Sequence, residues 1–423
     1  MRIYKVLKKI LGLGPEVVIT GWKMSGDEPD LVGVRPHLEV SLRPRRSRLG
    51  LCGRCATPSP FYDQGDGQRR WRHLDVGFAT CELLADARRV DCRVHGVTVA
   101  AVSWARHDTA FTRALEDLLV HDAIVSNKQA AADRYGTSWR AVNNACIRLA
   151  TEALGRVDLL DGLVAIAIDE VKYKKGQRYL TVVCDHFTGG VVWAAKGRSK
   201  DTVGEFFDAL GPVRTAELAF VTADGADWIR AVVAERASEA IICLDTFHLI
   251  GWATGAVDEV RRAEWNKLRE AGNGDAAKQF KGLRWVLLRN WENLSGRQKR
   301  VIRDLEKANR RMFRAWRLKE ELRQLMKLPL RKAQAALDRW LAWASRSKLV
   351  PFVKLARTIR AYRESIEATI EWKLTNGIAE SNNAAIGRIR GAARGFQDPK
   401  AFITMIMLER GGLAPALPWK TAA

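Results

Sequence analysis

LVAIAIDEV (163–171) is apolar without interruption until Asp169, and its strand length and β-branched composition decide how the rest of the chain is read. Downstream, RYLTVVCDHFTGGVVWAAKGR (178–198) divides into two strands at Thr188, Gly189 and Gly190. Residues 200–210 have helical character, LAFVTADG (218–225) ends on Asp224, and AIICLDTFH (240–248) adds a fifth short strand. Strand, hairpin, helix, strand, helix, strand predicts a mixed α/β sheet, and strand ends are where such sheets place their chemistry. Asp169 and Asp224 are the two acids so placed. Asp185 and Asp245 also stand at strand ends and compete with them, and most aspartates in such positions only form turns.

A chain of 423 residues has ample length for a large core and suggests roughly two to four domains. Its 70 Lys+Arg against 48 Asp+Glu give a net charge of +22, which points to a polyanionic partner, with nucleic acid the commonest. Fifteen tryptophans and 47% apolar residues argue for an ordered globular chain. In MRIYKVLKKILGL the lysines interrupt any secretory apolar region and leave an amphipathic helix. The longest apolar runs are strand-length, so no membrane partner is expected. Seven cysteines without a signal segment fit a reducing cytoplasm and metal ligation ahead of disulfides.

Taken in order, VVITGW and HLEVSLR read as short strands, and CGRC and DCRVH then supply Cys52, Cys55, Cys92 and His95. Two knuckles of this kind give the four soft ligands of a tetrahedral structural zinc. The alternative is that Cys92 and His95 are ordinary residues; Cys81 is a substitute ligand or a small core residue. SNKQAAADRYGTSWRAVNNACIRLA (126–150) predicts a helix, a break at Gly136 and a second helix capped by Thr137 or Ser138. Arg140, Asn143 and Asn144 would then lie on the leading part of a recognition helix, where Arg and Asn read guanine and adenine edges. A plain helical hairpin fits the pattern equally, and the net charge favours DNA. From 254 to 372 the periodicity is helical throughout, and 281–330 alone carries an excess of ten positive charges. Arg310, Arg311, Arg314 and Arg317 are candidates for a phosphate-tracking face, while most of the interleaved tryptophans are expected in a helical core.

Two strand-end aspartates suit a hard cation such as Mg²⁺ or Mn²⁺, and a third carboxylate would complete a site for two ions. Glu380, in the helix-forming TNGIAESNNAAIGRIRGAARGF (375–396), is the candidate. Strand alternation turns Glu170 away from whatever Asp169 faces, so Glu170 is rejected and Glu170→Gln is expected to be mild.

DEVKYKKGQRYLTVVCDHFTG, VTADGADW, CLDTFHLI, LRWVLLRNWENLS and TNGIAESNNAAIGRIRGAARGF, in this order, resemble successive blocks of bacterial insertion-sequence transposases of the ISL-three family. The resemblance covers nearly the whole chain. It implies a zinc-knuckle module (1–110), a helix-turn-helix (111–155), and a ribonuclease-H-like α/β core (160–253). A helical insertion (254–372) and the rest of the core with the Glu380 helix (373–423) would follow. It further implies a catalytic triad of Asp169, Asp224 and Glu380 holding two Mg²⁺ or Mn²⁺ ions, with Asp245 and His248 as an accessory element. The activity implied is binding of terminal inverted repeats, cleavage at the element ends and joining to target DNA, by a homodimer or larger synaptic assembly in the bacterial cytoplasm. His95 stands where a cysteine is usual in that family's knuckle. Two rivals remain from the residues alone, a ribonuclease-H-like nuclease or resolvase without strand transfer, and a non-catalytic DNA-binding regulator.

Overall fold

The computed structural model describes residues 2–26 and 35–417, which form two compact units, Met1–Val157 with Gly391–Arg394 and Lys400–Ala423, and Asp158–Arg390 with Gly395–Pro399. The first unit begins with helix α1 (Arg2–Ile10), the amphipathic segment expected. Strands β1 (Val17–Ser25), β2 (His37–Pro44), β3 (Phe61–Asp63), β4 (Gln68–Arg72), β5 (Thr80–Asp86), β6 (Arg89–Cys92) and β7 (Gly96–Val99) follow. They make a four-stranded sheet in the order β1-β2-β5-β4 and a small sheet β3-β6-β7. Alternation along β2 buries Leu38, Val40 and Leu42 against Leu83, Trp71 and Trp104, the two indoles meeting edge to face at 5.7 Å. Cys81 sits in that core, as a small apolar residue rather than a metal ligand.

Helices α2 (Arg113–Val125), α3 (Lys128–Arg134) and α4 (Trp139–Leu154) complete this part of the unit. Thr112, Asn127 and Ser138 each cap the helix that follows them by accepting a backbone N–H, and Gly136 takes φ +57° in the turn between α3 and α4. Glu116 on α2 is fully buried, and Arg106 and Arg148 close around it. Removing either partner of such a pair leaves a dry charge, so this cluster welds the helices to the preceding loop.

In the second unit, β8 (Ala165–Lys174), β9 (Arg178–Asp185), β10 (Val191–Lys196), α5 (Lys200–Leu210), α6 (Pro212–Ala216), β11 (Phe220–Ala223), α7 (Asp227–Arg236) and β12 (Ile241–Leu244) follow in turn. The sheet order is β10-β9-β8-β11-β12, with β9 antiparallel to both neighbours and β8, β11 and β12 parallel. Ile166, Ile168, Val221 and Ala223 pack on Val203, Phe206 and Val233 from α5 and α7. The strand does not end on Asp169: β8 continues to Lys174 because β9 still pairs with it there, whereas the parallel ladder with β11 stops at Ile168.

A helical insertion follows, of α8 (Thr246–Glu270), α9 (Gly274–Gly282), α10 (Arg284–Leu288), α11 (Gly296–Ala308), α12 (Arg310–Leu325), α13 (Leu330–Arg346), α14 (Val350–Ala361) and α15 (Arg363–Trp372), before α16 (Gly377–Ala392) returns to the sheet. This is a mixed α/β core with an all-helical insertion, as expected. Trp316 and Trp340 are buried in the insertion's core and Trp252, Trp291 and Trp343 pack against it, while Trp285 and Trp372 are exposed. Among the described residues, no helix is long and apolar enough to cross a membrane.

The last helix, α17 (Pro399–Arg410), differs from the expected division of the chain. Among the described residues, 400–417 fall in the first compact unit and not with the sheet of the second. Phe402, Met405 and Ile406 are buried, and buried Lys128 of α3 donates to the Ala401 carbonyl at 3.3 Å. The helices α2–α4 and the strands before them lie in the same compact unit, joined by the Glu116 cluster.

Within the insertion, Lys319 is 0% exposed, donating to the carbonyls of Leu287 and Arg289 at 2.9 and 2.8 Å and pairing with Glu320 at 3.0 Å. Lys319→Met keeps the stem and strands both carbonyls, so it is expected to destabilise the insertion by roughly 2–4 kcal/mol, read as a lower unfolding midpoint in denaturant with unchanged slope.

Candidate functional site

The parallel register builds the site. Ala167, Thr222 and Cys243 share one rung and Ile168, Ala223 and Leu244 the next. Asp169, Asp224 and Asp245 therefore occupy the following position on three adjacent strands, about 4.8 Å apart from strand to strand, with the same side-chain parity. Asp185 is different. It pairs with Ile166, and its carboxylate accepts the N–H groups of Phe187 and Thr188 at 3.1 and 3.0 Å, so it forms its own turn, away from the row.

Each aspartate in the row has a distinct setting. Burial pushes Asp169 up to about 6, and repulsion from Asp224 adds to the rise, although the Glu170 N–H at 2.7 Å opposes it. Asp224 accepts the Ala226 N–H at 3.0 Å. Asp245 caps α8 and receives His248 Nδ1 at 3.0 Å; burial would raise this carboxyl, but the histidine and the backbone N–H groups of Phe247 and His248 together hold Asp245 below the usual range. In return Asp245 raises the imidazole, whose Nε2 reaches to 3.8 Å from Asp224. The accessory pair thus places the His248 ring beside the second aspartate.

Three asparagines dock α16 on the sheet. Asn376 accepts from Thr222 Oγ1 at 3.0 Å, Asn382 donates to the Gly189 carbonyl at 2.9 Å, and Asn383 donates to Asp169 Oδ2 at 2.7 Å. Glu380 stands three residues before Asn383, hence on the same helical face, and is exposed. No direct contact joins Glu380 to the aspartates among the described residues. These asparagines escaped the reading of the sequence; the available signal was the cost of placing so many poor helix formers, Asn376, Ser381, Asn382 and Asn383, about one helix.

The Asp224 turn is held from the insertion. A Cβ on Gly225 would strike the Trp252 indole, and Tyr362 Oη donates to the Gly225 carbonyl at 2.9 Å and to Asp227 at 2.6 Å. Trp252 and Tyr362 meet edge to face at 5.4 Å. Glu170 lies on the opposite face of β8 from Asp169, as alternation requires. It is not idle there, for its side chain is 6% exposed, pairs with Arg198 Nε at 2.7 Å and leaves Oε1 without a partner. Burial, with repulsion from Asp224, raises it to about 7.

Cys52, Cys55, Cys92 and His95 come together, all their ligand atoms lying within 4.8 Å of one another. His95 Nδ1 is 3.6 Å from both Cys52 Sγ and Cys92 Sγ, and Cys55 Sγ is 3.7 Å from Cys92 Sγ. A tetrahedron with metal–sulfur bonds of about 2.3 Å has edges of about 3.7 Å, so the four atoms fit zinc. Backbone N–H groups of Val94 and His95 lower the Cys92 thiol to about 6, favouring the thiolate that a metal takes.

The candidate DNA-contacting residues divide. Arg140 and Asn144 are exposed on α4, but Asn143 Oδ1 accepts Lys128 Nζ at 2.6 Å and ties α4 to α3. In the insertion Arg311 pairs with Glu264 at 3.0 Å, Arg314 donates to the Ser347 carbonyl at 2.8 Å, and Arg317 bonds Glu321 at 2.5 Å. Arg310 is exposed with no such partner among the described residues.

Comparison with known proteins agrees with this organisation. A family model described as a transposase, of the ISL3 type, matches residues 166–406. The zinc-finger of transposase IS204/IS1001/IS1096/IS1165 matches 48–95, and the helix-turn-helix domain of transposase family ISL3 matches 100–150. The transposase for insertion sequence element IS1557 of Mycobacterium tuberculosis is 38% identical over 437 residues, covering 99% of this chain and 98% of that one. The transposase for IS1001 of Bordetella parapertussis is 27% identical over 372 residues, covering 87% and 90%. Among solved structures, the Drosophila P element transposase strand transfer complex aligns with a TM-score of 0.38 at 12% identity, covering 71% of this chain and 92% of that chain. Matched by its family's zinc-finger, helix-turn-helix and transposase models in sequence order, and to a relative from end to end, the chain belongs to the ISL3 family of insertion-sequence transposases.

Proposed function

We propose that the protein binds the terminal inverted repeats of its own insertion sequence, cleaves the ends and joins them to target DNA, with Asp169, Asp224 and Glu380 as the catalytic carboxylates. The observation that carries this is the shared rung of Asp169 and Asp224 together with the Asn383 bond that brings the Glu380 face of α16 to Asp169. The oxygen-only donor set suits Mg²⁺ or Mn²⁺, which when bound in a pair activate an attacking oxygen and stabilise the leaving one in displacement at phosphorus. The chain's own residues keep that set in place. Asn383 orients Asp169, the Ala226 N–H orients Asp224, and Asp245 holds the His248 ring with Nε2 toward Asp224. The Cys52, Cys55, Cys92 and His95 cluster would hold a structural zinc. A homodimer or larger synaptic assembly would bring two ends together, in the bacterial cytoplasm.

Asp169→Asn, Asp224→Asn and Glu380→Gln are each expected to lower cleavage of an inverted-repeat fragment by at least about 1000-fold, since each removes a charged metal ligand and little volume. Binding of the fragment should stay near normal. Cleavage at the wild-type rate by any one of the three would remove that residue from the site.

Metal analysis of the purified chain should return one zinc per molecule. Cys52→Ser should lose it and unfold the first unit, because metal affinity is part of a small zinc module's folding free energy. A zinc-free protein with native binding would refute the cluster's assignment.

On DNA, Arg140→Ala and Asn144→Ala are expected to relax base preference by roughly 1–3 kcal/mol per lost contact, while Asn143→Ala should instead loosen α3 from α4. Arg310→Ala should weaken every sequence alike and flatten the plot of log affinity against log salt by about one unit. Titrations of end and random fragments at several salt concentrations separate these effects, and an unchanged slope would make Arg310 a solvated surface residue.

A further inference from the structure

Arg198 has no role in the reading above, yet the fold fixes it with more care than a surface arginine requires. It follows Gly197, whose φ of +146° suits glycine, and a Cβ there would strike Thr202 Oγ1. The Gly197 N–H donates to the Tyr179 carbonyl at 3.0 Å and its carbonyl accepts Thr181 Oγ1 at 3.0 Å, so β9 grips this residue from both sides. Ser199, next in the chain, caps α5. The root of Arg198 is therefore immobile.

Its head is held as well. The guanidinium lies over the Tyr179 ring at 5.0 Å, and Nε is bound by Glu170 at 2.7 Å. Those contacts use the Nε edge and one flat face of the guanidinium. The terminal nitrogens have no partner among the described residues, and the side chain remains 44% exposed. A planar guanidinium with free terminal N–H groups is the side-chain geometry that matches two phosphate oxygens.

Location gives this a meaning. Glu170 follows Asp169 directly, and β11 ends at Ala223, so beyond that rung no strand separates the Glu170 side of the sheet from Asp224. Asp224 lies close enough for its charge to be felt at Arg198. The edge otherwise gathers carboxylates, Asp169, Glu170, Asp224 and Asp245, with the His248 ring among them. A phosphodiester approaching such an edge meets repulsion unless a fixed cation receives it.

We propose that Arg198 is a catalytic residue that donates hydrogen bonds to a non-bridging oxygen of the phosphodiester under attack, and that Glu170 is its positioning residue and not a metal ligand. No proton is transferred; the arginine stabilises charge that grows on the phosphorus oxygens as the bond to the leaving oxygen breaks. Glu170→Gln is then not a mild change. The proposal rests on Asp169 and Asp224 being the catalytic acids, and its test separates the two.

The full chain, an inverted-repeat fragment and Mg²⁺ are used in single-turnover cleavage with Arg198→Ala, Arg198→Lys, Glu170→Gln, the Glu170→Gln/Arg198→Ala pair and Asp224→Asn. Arg198→Ala is expected to slow cleavage by about 100-fold at saturating DNA, with Kd for the fragment and the melting midpoint near wild type. Added methylguanidinium should restore part of the rate. Arg198→Lys should fall between, and Glu170→Gln should cost about 10-fold alone and nothing further once Arg198 is gone. Wild-type cleavage by Arg198→Ala, or a loss that follows its melting midpoint or resists methylguanidinium, overturns the proposal. If Asp224→Asn cleaves, the underlying assignment of the site falls; if Asp224→Asn is inactive while Arg198→Ala is normal, only the arginine's role falls.

Discussion

Like charges brought to one rung of a sheet repel, and the second unit is arranged to hold them there. Parallel pairing of β8, β11 and β12 leaves Asp169, Asp224 and Asp245 no freedom to separate, because strand spacing is set by the backbone ladder. Backbone N–H groups of Glu170 and Ala226, the Asn383 amide and the His248 ring each meet one of the acids, and the Arg198 guanidinium pairs with Glu170 beside them. None is a bulk counter-ion. All are donors fixed by the fold, so they cost little reorganisation when a cation or a phosphate arrives.

The carboxylate pair was legible because β-sheets write their core in consecutive apolar letters, and Asp169 and Asp224 interrupt two such runs. The Cys52, Cys55, Cys92 and His95 cluster was legible because metal geometry restricts both residue type and spacing, and the helix break at Gly136 because its φ of +57° favours glycine. Residues that act across long separations left a fainter trace. Asn383 meets Asp169 across 214 positions, and nothing in the spelling of either segment names the other. Alternation correctly turned Glu170 from Asp169's face, but alternation says nothing of what waits on the far side, which is Arg198. The return of α17 to the first unit was hidden for a similar reason. An apolar helix shows that it is buried without showing against what, and the Lys128 bond to Ala401 spans 273 positions.

The helical insertion is more than a basic appendage. Trp252 on α8 and Tyr362 between α14 and α15 close on the Asp224 turn from two separate parts of the insertion, so the turn's geometry depends on the insertion being folded. The arginines of α12 belong to the same logic, since three of the four singled out for charge spend their side chains on internal partners. Positive charge there serves packing as well as any attraction for a polyanion, because a guanidinium can cover apolar surface and satisfy a carbonyl at once.

Helix α8 runs for 25 residues from the Asp245 cap into the heart of the insertion. At 1.5 Å per residue it is a rod of about 37 Å, anchored at the sheet end. Such a rod gears motion down toward its fulcrum. A sideways excursion of about 2 Å at the far tip is a swing of only about 3°, which shifts a residue one turn from the anchor by about 0.3 Å. A shift of the insertion over a bulky ligand would thus leave the imidazole of His248, at the short end of the lever, almost still.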